Sequence, residues 1–341
     1  MTEAAPCYYQ AASNKPTRKM ADAELSVVTG ALDYTGRYIA RGLIEQGARV
    51  RTLTAHPNEP NPFAGRIEIA PLDFASPESL ARGLEGATTL FNTYWIRFPY
   101  GETTFETAVE NSSTLLHAAQ CAGVRRIVHV SITGADVNSP LPYFRGKGLV
   151  EREITQSHLS WAILRPTLVF GVDDVLLNNI AWLLRRFPLF ALPGFGAYHV
   201  QPVWRDGSGR ACDKLCAGRR KPHRGCGGSR DLHLPRSRTN GGPCAQLFSA
   251  ADAGASGCGA VPSRLIGYAI GDVMFTHDEI DGLAASPLIS ADSPTCPTAL
   301  SSWLPSNADS LGRITTRAQA LPSAYWKGPF TIRCETGRCV A

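Results

Sequence analysis

The stretch Leu25-Ser-Val-Val-Thr-Gly-Ala-Leu-Asp-Tyr-Thr-Gly36 limits the folds open to this chain more than any other. A short apolar run breaks at a glycine-bearing turn and leads into residues of helical periodicity. A strand, a tight turn and a helix N-terminus in that order point unpaired N–H groups and the positive end of the helix dipole at whatever lies in the turn. That arrangement suits a diphosphate. The dinucleotide-binding fingerprint carries glycine at three places, and here Gly30 and Gly36 flank Asp33 where the middle glycine would stand.

The residues that follow alternate between the two periodicities. Strands are predicted at 25–29, 49–54, 67–72, 88–92, 124–131 and 161–164, the last stopping at Arg165-Pro166. Helices are predicted from Tyr34 to Gln46, from Ser76-Pro77-Glu78 to about Gly83, over 104–122 and over 143–156. Ser76 before Pro77 has the order of an N-cap followed by proline at N1. Strands alternating with helices of this size predict right-handed crossovers and a doubly wound, mostly parallel α/β sheet of the Rossmann type, covered on both faces. A ligand then belongs at the carboxyl ends of the strands, where the turn at Gly30, Asp73 and Ser131 all fall.

Composition adds bounds. A chain of 341 residues, 44% of them hydrophobic, can bury a sizeable core. With no long uninterrupted apolar run and no basic-then-apolar leader in the first residues, the expectation is a cytoplasmic protein with no membrane partner. Residues 1–22 read as a loose, disordered extension, 23–203 as the dinucleotide-binding domain, 264–320 as a small helical region and 321–341 as a loose tail. Within 264–320, Leu265–Ile270 restores apolar periodicity and Thr276-His-Asp-Glu279 has a capping-box order.

Between them, 204–263 changes texture. The window holds half of the ten cysteines (Cys212, Cys216, Cys226, Cys244, Cys258) but no Glu or Ile, and it follows neither period. One reading is a basic disordered loop. Another is translation out of frame: Gly228–Ser237 can be encoded so that starting one base later yields Gly-Pro-Glu-Thr-Phe-Thr-Phe-Pro-Glu, an ordinary strand-and-turn sequence. Sequencing the gene decides, because the idea requires an alternative frame that is open and amphipathic across the window. Cys212, Cys216, His223 and Cys226 lack the periodic elements that would hold a zinc ion, so no metal is expected. The cluster from Arg219 to Arg224 lacks interleaved aromatics, so no specific nucleic-acid partner is expected either.

Taken together, Thr-Gly-Ala-x-x-Tyr-Thr-Gly at the first turn, Ser131 after the fifth strand, Tyr143-x-x-x-Lys147, Leu164-Arg-Pro-Thr167 and Phe170-Gly171 resemble the short-chain dehydrogenase/reductase superfamily. More narrowly, the chain resembles its atypical or extended members, near the NmrA-like and complex-I-subunit-like NAD(P)H-binding proteins. The resemblance covers about 24–203 and weakens over 264–320. It implies that Ser131 holds the substrate oxygen, Tyr143 is the acid/base, and Lys147 binds the nicotinamide ribose and lowers the tyrosine pKa. Free tyrosine, with a pKa of about 10, is poorly tuned for neutral pH, and a nearby ammonium favours phenolate. It also implies that Asn111 bends its helix and supports a proton-relay water, that Asp73 reaches the adenine, and that Thr29, Gly30, Tyr34, Thr35, Gly36 and Arg37 line the cofactor. The structural alternatives are a strand-end cap for Ser131, a helix cap for Asp73, a packed aromatic for Tyr143 and a surface lysine for Lys147.

Asp33 repels a diphosphate unless it points to solvent or caps the first helix, which implies weakened but surviving binding. The second strand ends in Thr54-Ala55-His56, with no acid for an unmodified adenosine ribose, and Arg37 can pair with a ribose phosphate; NADP is therefore expected over NAD. Substrate-side candidates are Tyr94, Trp95, Arg97, Asn178, Asn179 and Gln201, with Arg165 structural. The function implied is that of an oxidoreductase or epimerase acting on a carbonyl/alcohol pair of a small molecule, the alternative being a non-catalytic dinucleotide sensor or scaffold. Substrate and oligomeric state stay open.

Overall fold

The structure, a computed structural model, describes residues 24–99, 101–186, 199–205, 223–226, 232–233, 290 and 298–312. Seven parallel strands form one sheet: β1 (Leu25–Thr29), β2 (Arg49–Thr54), β3 (Ile67–Pro71), β4 (Ala87–Asn92), β5 (Arg126–Val130), β6 (Ser160–Pro166) and, at one edge, His223–Cys226. With the pairs β7 (Val169–Phe170) and β9 (Val203–Trp204), and β8 (His199–Val200) and β11 (Leu232–His233), the edge strand His223–Cys226 is β10. The sheet order is β10-β6-β5-β4-β1-β2-β3. The chain winds outward from β1 in both directions, so the order reverses between β1 and β4. In such sheets that reversal opens the ligand crevice.

Helices α1 (Tyr34–Glu45), α2 (Pro77–Leu84), α3 (Phe105–Cys121) and α4 (Pro142–Gln156) are the crossovers. Successive residues of each strand enter different cores. Val28, Phe91, Val128 and Leu164 pack with Ile39 and Leu43 of α1. Their neighbours Val27, Leu90, Ile127 and Ile163 pack with Leu80, Leu115, Leu116, Val150 and Ile154 of α2, α3 and α4. Strands buried on both faces have no polar side to alternate, which explains the nearly unbroken apolar runs of the central strands, whereas β3, at the other edge, is largely exposed.

A third cluster joins Phe170, together with Leu177 and Ala181 of α5 (Val175–Arg186), to Leu300 and Leu304 of α6 (Leu300–Asn307) and to Leu311, which follows the 3₁₀ turn Ala308–Ser310. No helix among the described residues is long and apolar enough to cross a membrane.

Most element boundaries move by a residue or two, and two of the shifts have a clear cause. Strand β6 does not stop at Arg165-Pro166: beyond Leu164, which pairs with Val130 of β5, Arg165 and Pro166 pair with Gly225 and Cys226 of β10. Helix α4 begins one residue early because Pro142 fits the first turn, where a missing N–H costs nothing. Within 204–263, His223–Cys226 and Leu232–His233 are strands. Leu265–Ile270, Thr276–Glu279, Cys212 and Cys216 lie outside the described residues.

Candidate functional site

The turn between β1 and α1 is built by close approach. Gly30 has φ +63°, and its N–H donates to the Leu53 carbonyl while its own carbonyl accepts from the Asp33 N–H. At Gly36 a Cβ would overlap the Gly30 carbonyl oxygen, so α1 rests on the turn with no room for a side chain. The result is a short cradle whose free helix N–H groups face the sheet's carboxyl edge.

Asp33 sits at the N-cap with φ −88° and ψ −177°, an ordinary extended backbone that needs no glycine, and its carboxylate caps no N–H of α1. Instead Oδ2 folds over the turn, 2.6 Å from where a Cβ on Gly30 would stand. Desolvation there raises its pKa above the usual carboxylate range, against the pull of His56 and Arg37. The obstacle at this position is therefore charge and bulk over the turn, with no backbone strain.

The other residues of the turn are committed to the protein in different degrees. Thr29 is tied to the end of β4: its hydroxyl accepts from the Thr93 N–H at 2.7 Å, and its carbonyl accepts from the Thr93 hydroxyl. Tyr34 buries its hydroxyl with no hydrogen-bond partner among the described residues, and burial pushes its pKa far up. Thr35 is half-buried on the first turn of α1. Arg37 donates to the Leu32 carbonyl at 2.6 Å and lies 4.0 Å from Asp173, a carboxylate that also holds Arg205 at 3.0 Å.

Asp73 accepts from the Ala75 N–H in a local turn, while Ser76 caps α2 by accepting from the Ser79 N–H. The helix-cap role open to Asp73 thus falls to Ser76.

Beyond β5 the set implied by the resemblance comes together. Ser131 is 5% exposed; its N–H donates to the Leu164 carbonyl and its hydroxyl has no hydrogen-bond partner among the described residues. Lys147 is 3% exposed, so it is no surface lysine. Its ammonium donates to the carbonyl of Val130, the residue before Ser131, at 3.1 Å, and lies 4.6 Å from the centre of the Trp95 ring. Burial lowers its pKa to about 7, although Glu151 pulls upward. Glu151 itself is ion-paired with Arg165, which is structural as expected. Tyr143 meets Trp95 edge-on with ring centres 6.0 Å apart, and Phe105 likewise at 5.7 Å.

Asn111 has a partner that its implied role does not mention. Its Nδ2 donates to the Tyr94 hydroxyl at 2.8 Å, which fixes the Tyr94 ring against Phe74. Among the substrate-side candidates, Asn178 accepts from the Gly312 N–H and Gln201 accepts from the Ser290 N–H, so both tie distant chain segments together. Asn179 is fully buried. Arg97 stacks on Phe98 and faces the buried carboxylate of Asp174, which accepts from the Leu177 N–H at the start of α5 and is pushed up to about 7 by burial. Sequence reasoning missed Asp174, although an aspartate just before the apolar Leu176-Leu177 is an N-cap signal.

These residues fit a nicotinamide dinucleotide at the phosphate end, through the glycine cradle and the unpartnered Tyr34 hydroxyl. At the reactive end, the lysine amine is covered by Trp95.

Comparison with known proteins agrees with the fold. Residues 30–172 match a family described as NAD(P)H-binding. The chain is 24% identical over 188 residues to NADH dehydrogenase (ubiquinone) 1 alpha subcomplex subunit 9, mitochondrial, of Arabidopsis thaliana, covering 53% of this chain and 47% of that one. The chain spans about half the length of the curated relatives it matches. Among solved structures, it matches UDP-glucose 4-epimerase of Thermus thermophilus in complex with NAD at TM-score 0.52 and 17% identity, over 61% of this chain and 79% of that one. It also matches MoeE5 in complex with UDP-glucose and NAD at TM-score 0.51 and 21% identity, over 61% and 77%.

The expected preference for NADP is overturned. The matched structures hold NAD, and Arg37, which carried the expectation, spends its guanidinium on Leu32 and Asp173.

Proposed function

We propose that this atypical, extended-type NAD(P)H-binding Rossmann-fold chain, related to the epimerase-type dehydrogenases and to the complex-I subunits, acts as a holder of NAD(H), a sensor or scaffold rather than an efficient catalyst. The observation that carries this reading is Lys147. The acid/base role implied for Tyr143 needs a positive charge beside it, yet the Lys147 amine is buried and bonded to the Val130 carbonyl, and burial lowers its pKa to about 7, which disfavours the charged form. One N–H of the Asn111 side chain is committed to the Tyr94 hydroxyl, which also favours the holder reading. The phosphate cradle, by contrast, keeps both its flanking glycines. The name of the Arabidopsis relative, a subunit of a larger assembly, favours a scaffold role within a protein complex and makes a mitochondrial site an alternative to the expected cytoplasmic one.

The second reading, an oxidoreductase or epimerase on a carbonyl/alcohol pair, draws on Ser131. A buried hydroxyl without a hydrogen-bond partner among the described residues, at a strand's carboxyl end, is suited to a substrate oxygen. In that case Tyr143 transfers the proton, and the dinucleotide supplies the hydride when bound.

Fluorescence titration with NADH, run beside Asp33→Gly, tests binding. Removing one carboxylate a few ångström from a diphosphate is worth about 1 kcal/mol in a water-like medium, so the variant is expected to bind roughly five- to tenfold more tightly. Absence of binding by both proteins would refute the dinucleotide reading. Cofactor oxidation over a carbonyl panel then separates the two roles: the holder reading expects negligible turnover, and turnover abolished by Tyr143→Phe would establish the enzyme instead.

A further inference from the structure

Helix α4 brings Gly146 against the outer edge of the Trp95 benzo ring: a Cβ built on Gly146 would stand 2.9 Å from Cη2 and 3.2 Å from Cζ2 of the indole. The same ring covers the Lys147 ammonium, stacks on Phe105 with an interplanar angle of 14° and meets Tyr143 edge-on. Trp95 comes from the irregular segment after β4, a connection without regular backbone bonds of its own. Its indole N–H is buried and finds no acceptor among the described residues. A tryptophan usually satisfies that group when buried, so this ring is held by packing and cation–π attraction while its one polar atom goes unpaired.

We infer that Trp95 is the specificity-determining cover of the Lys147 site: seated on Gly146, it denies the amine to any ligand of nicotinamide-ribose size until the ring swings away. The inference rests on the dinucleotide reading for the identity of that ligand, but the cover itself is a property of the chain alone. It explains how one glycine turn can hold the diphosphate while the reactive end stays shut. Gly146 is as much a part of the device as the indole, because a side chain there meets the ring edge and pushes it from its seat. The Phe105 stack supplies the resting place, and the unpaired N–H supplies a bond that a ligand carbonyl or a moved ring can gain.

The test uses the full-length protein and sulfosuccinimidyl acetate, with acylation at Lys147 followed by peptide mass spectrometry and the remaining lysines of the same digest as reference. Trp95→Ala is expected to raise the Lys147 rate at least tenfold. Gly146→Ala, which keeps the tryptophan but pushes its ring aside, is expected to raise it about threefold, and Trp95→Phe, which keeps a ring on the amine, is expected to stay within twofold of the wild type. Rates for Trp95→Ala and Gly146→Ala both within twofold of the wild type would overturn the cover. So would acceleration shared equally by all lysines with loss of the cooperative melting transition, which reports unfolding. In the same preparations, NADH is expected to bind Trp95→Ala more tightly than wild type. If no variant binds NADH while Lys147 is still uncovered, the dinucleotide reading fails and the cover stands.

Discussion

Replacing Gly36 by alanine is expected to abolish NADH binding and to destabilise the fold by about 1–3 kcal/mol, the range for forcing a group into a closely packed site. The added methyl meets the backbone carbonyl of Gly30 and not the yielding end of a side chain, so either α1 or the turn has to move. The turn is anchored through Gly30 to Leu53 of β2 and through Thr29 to Thr93 beyond β4, which leaves the helix to shift. A helix displaced from the turn no longer aims its first N–H groups at a diphosphate. Thermal melting and NADH titration of the same sample check both parts. A variant that binds like the wild type would show that the close approach is not required.

Substituting Lys147 by methionine is expected to stabilise the protein at pH 7 by a few kcal/mol and to remove a rise in stability between about pH 7 and pH 10.5. The sign follows from burial. In the folded state the amine has a pKa of about 7, against an unfolded value near 10.5, so between these limits the unfolded chain binds more protons and stability increases with pH. Asp174 works in the opposite direction: its folded pKa of about 7 lies above the unfolded value of 3.8, so the stability it contributes is present in acid and is lost as pH rises from 3.8 through 7. His129, fully buried in β5 with its pKa well below normal, adds stability that is lost as pH falls below its unfolded value of 6.5, opposing Asp174 on the acid side.

Chemical denaturation of wild type, Lys147→Met and Asp174→Asn at pH 5, 7 and 9 separates these contributions. The methionine variant is expected to gain as much at pH 5 as at pH 7, and clearly less at pH 9, where the unfolded lysine begins to lose its advantage in binding the proton. A gain that does not change with pH would mean the amine is not carried in neutral form.

The sheet and its four crossovers were legible because the central strands β1, β4, β5 and β6 are buried on both sides and each helix on one, and these two burial patterns leave different periods in the residues. Ser131 and the turn at Gly30 were legible for a related reason: topology sends strand ends to one edge. What was not legible depends on contacts far apart in sequence. Nothing near Lys147 announces that Trp95 covers it, and nothing near Asn111 announces Tyr94 as its partner. The length of β6 is set in part by β10, and the roles of Asn178 and Gln201 by Gly312 and Ser290. The NADP expectation failed in the same way, since an arginine read as available is already bonded once the chain is folded.

The pairing of β10 with β6 has a consequence for the exposed side of the sheet. The register His223 with Ile163 through Cys226 with Pro166 is made by backbone groups, which every residue but proline possesses in full. The pairing itself asks only for backbone groups on the β10 side, whereas Ile163 and Leu164 of β6 also fill the cores with their side chains. A stretch of unpromising residues can thus cover the side of β6, so that this strand's backbone groups are kept from pairing with another molecule.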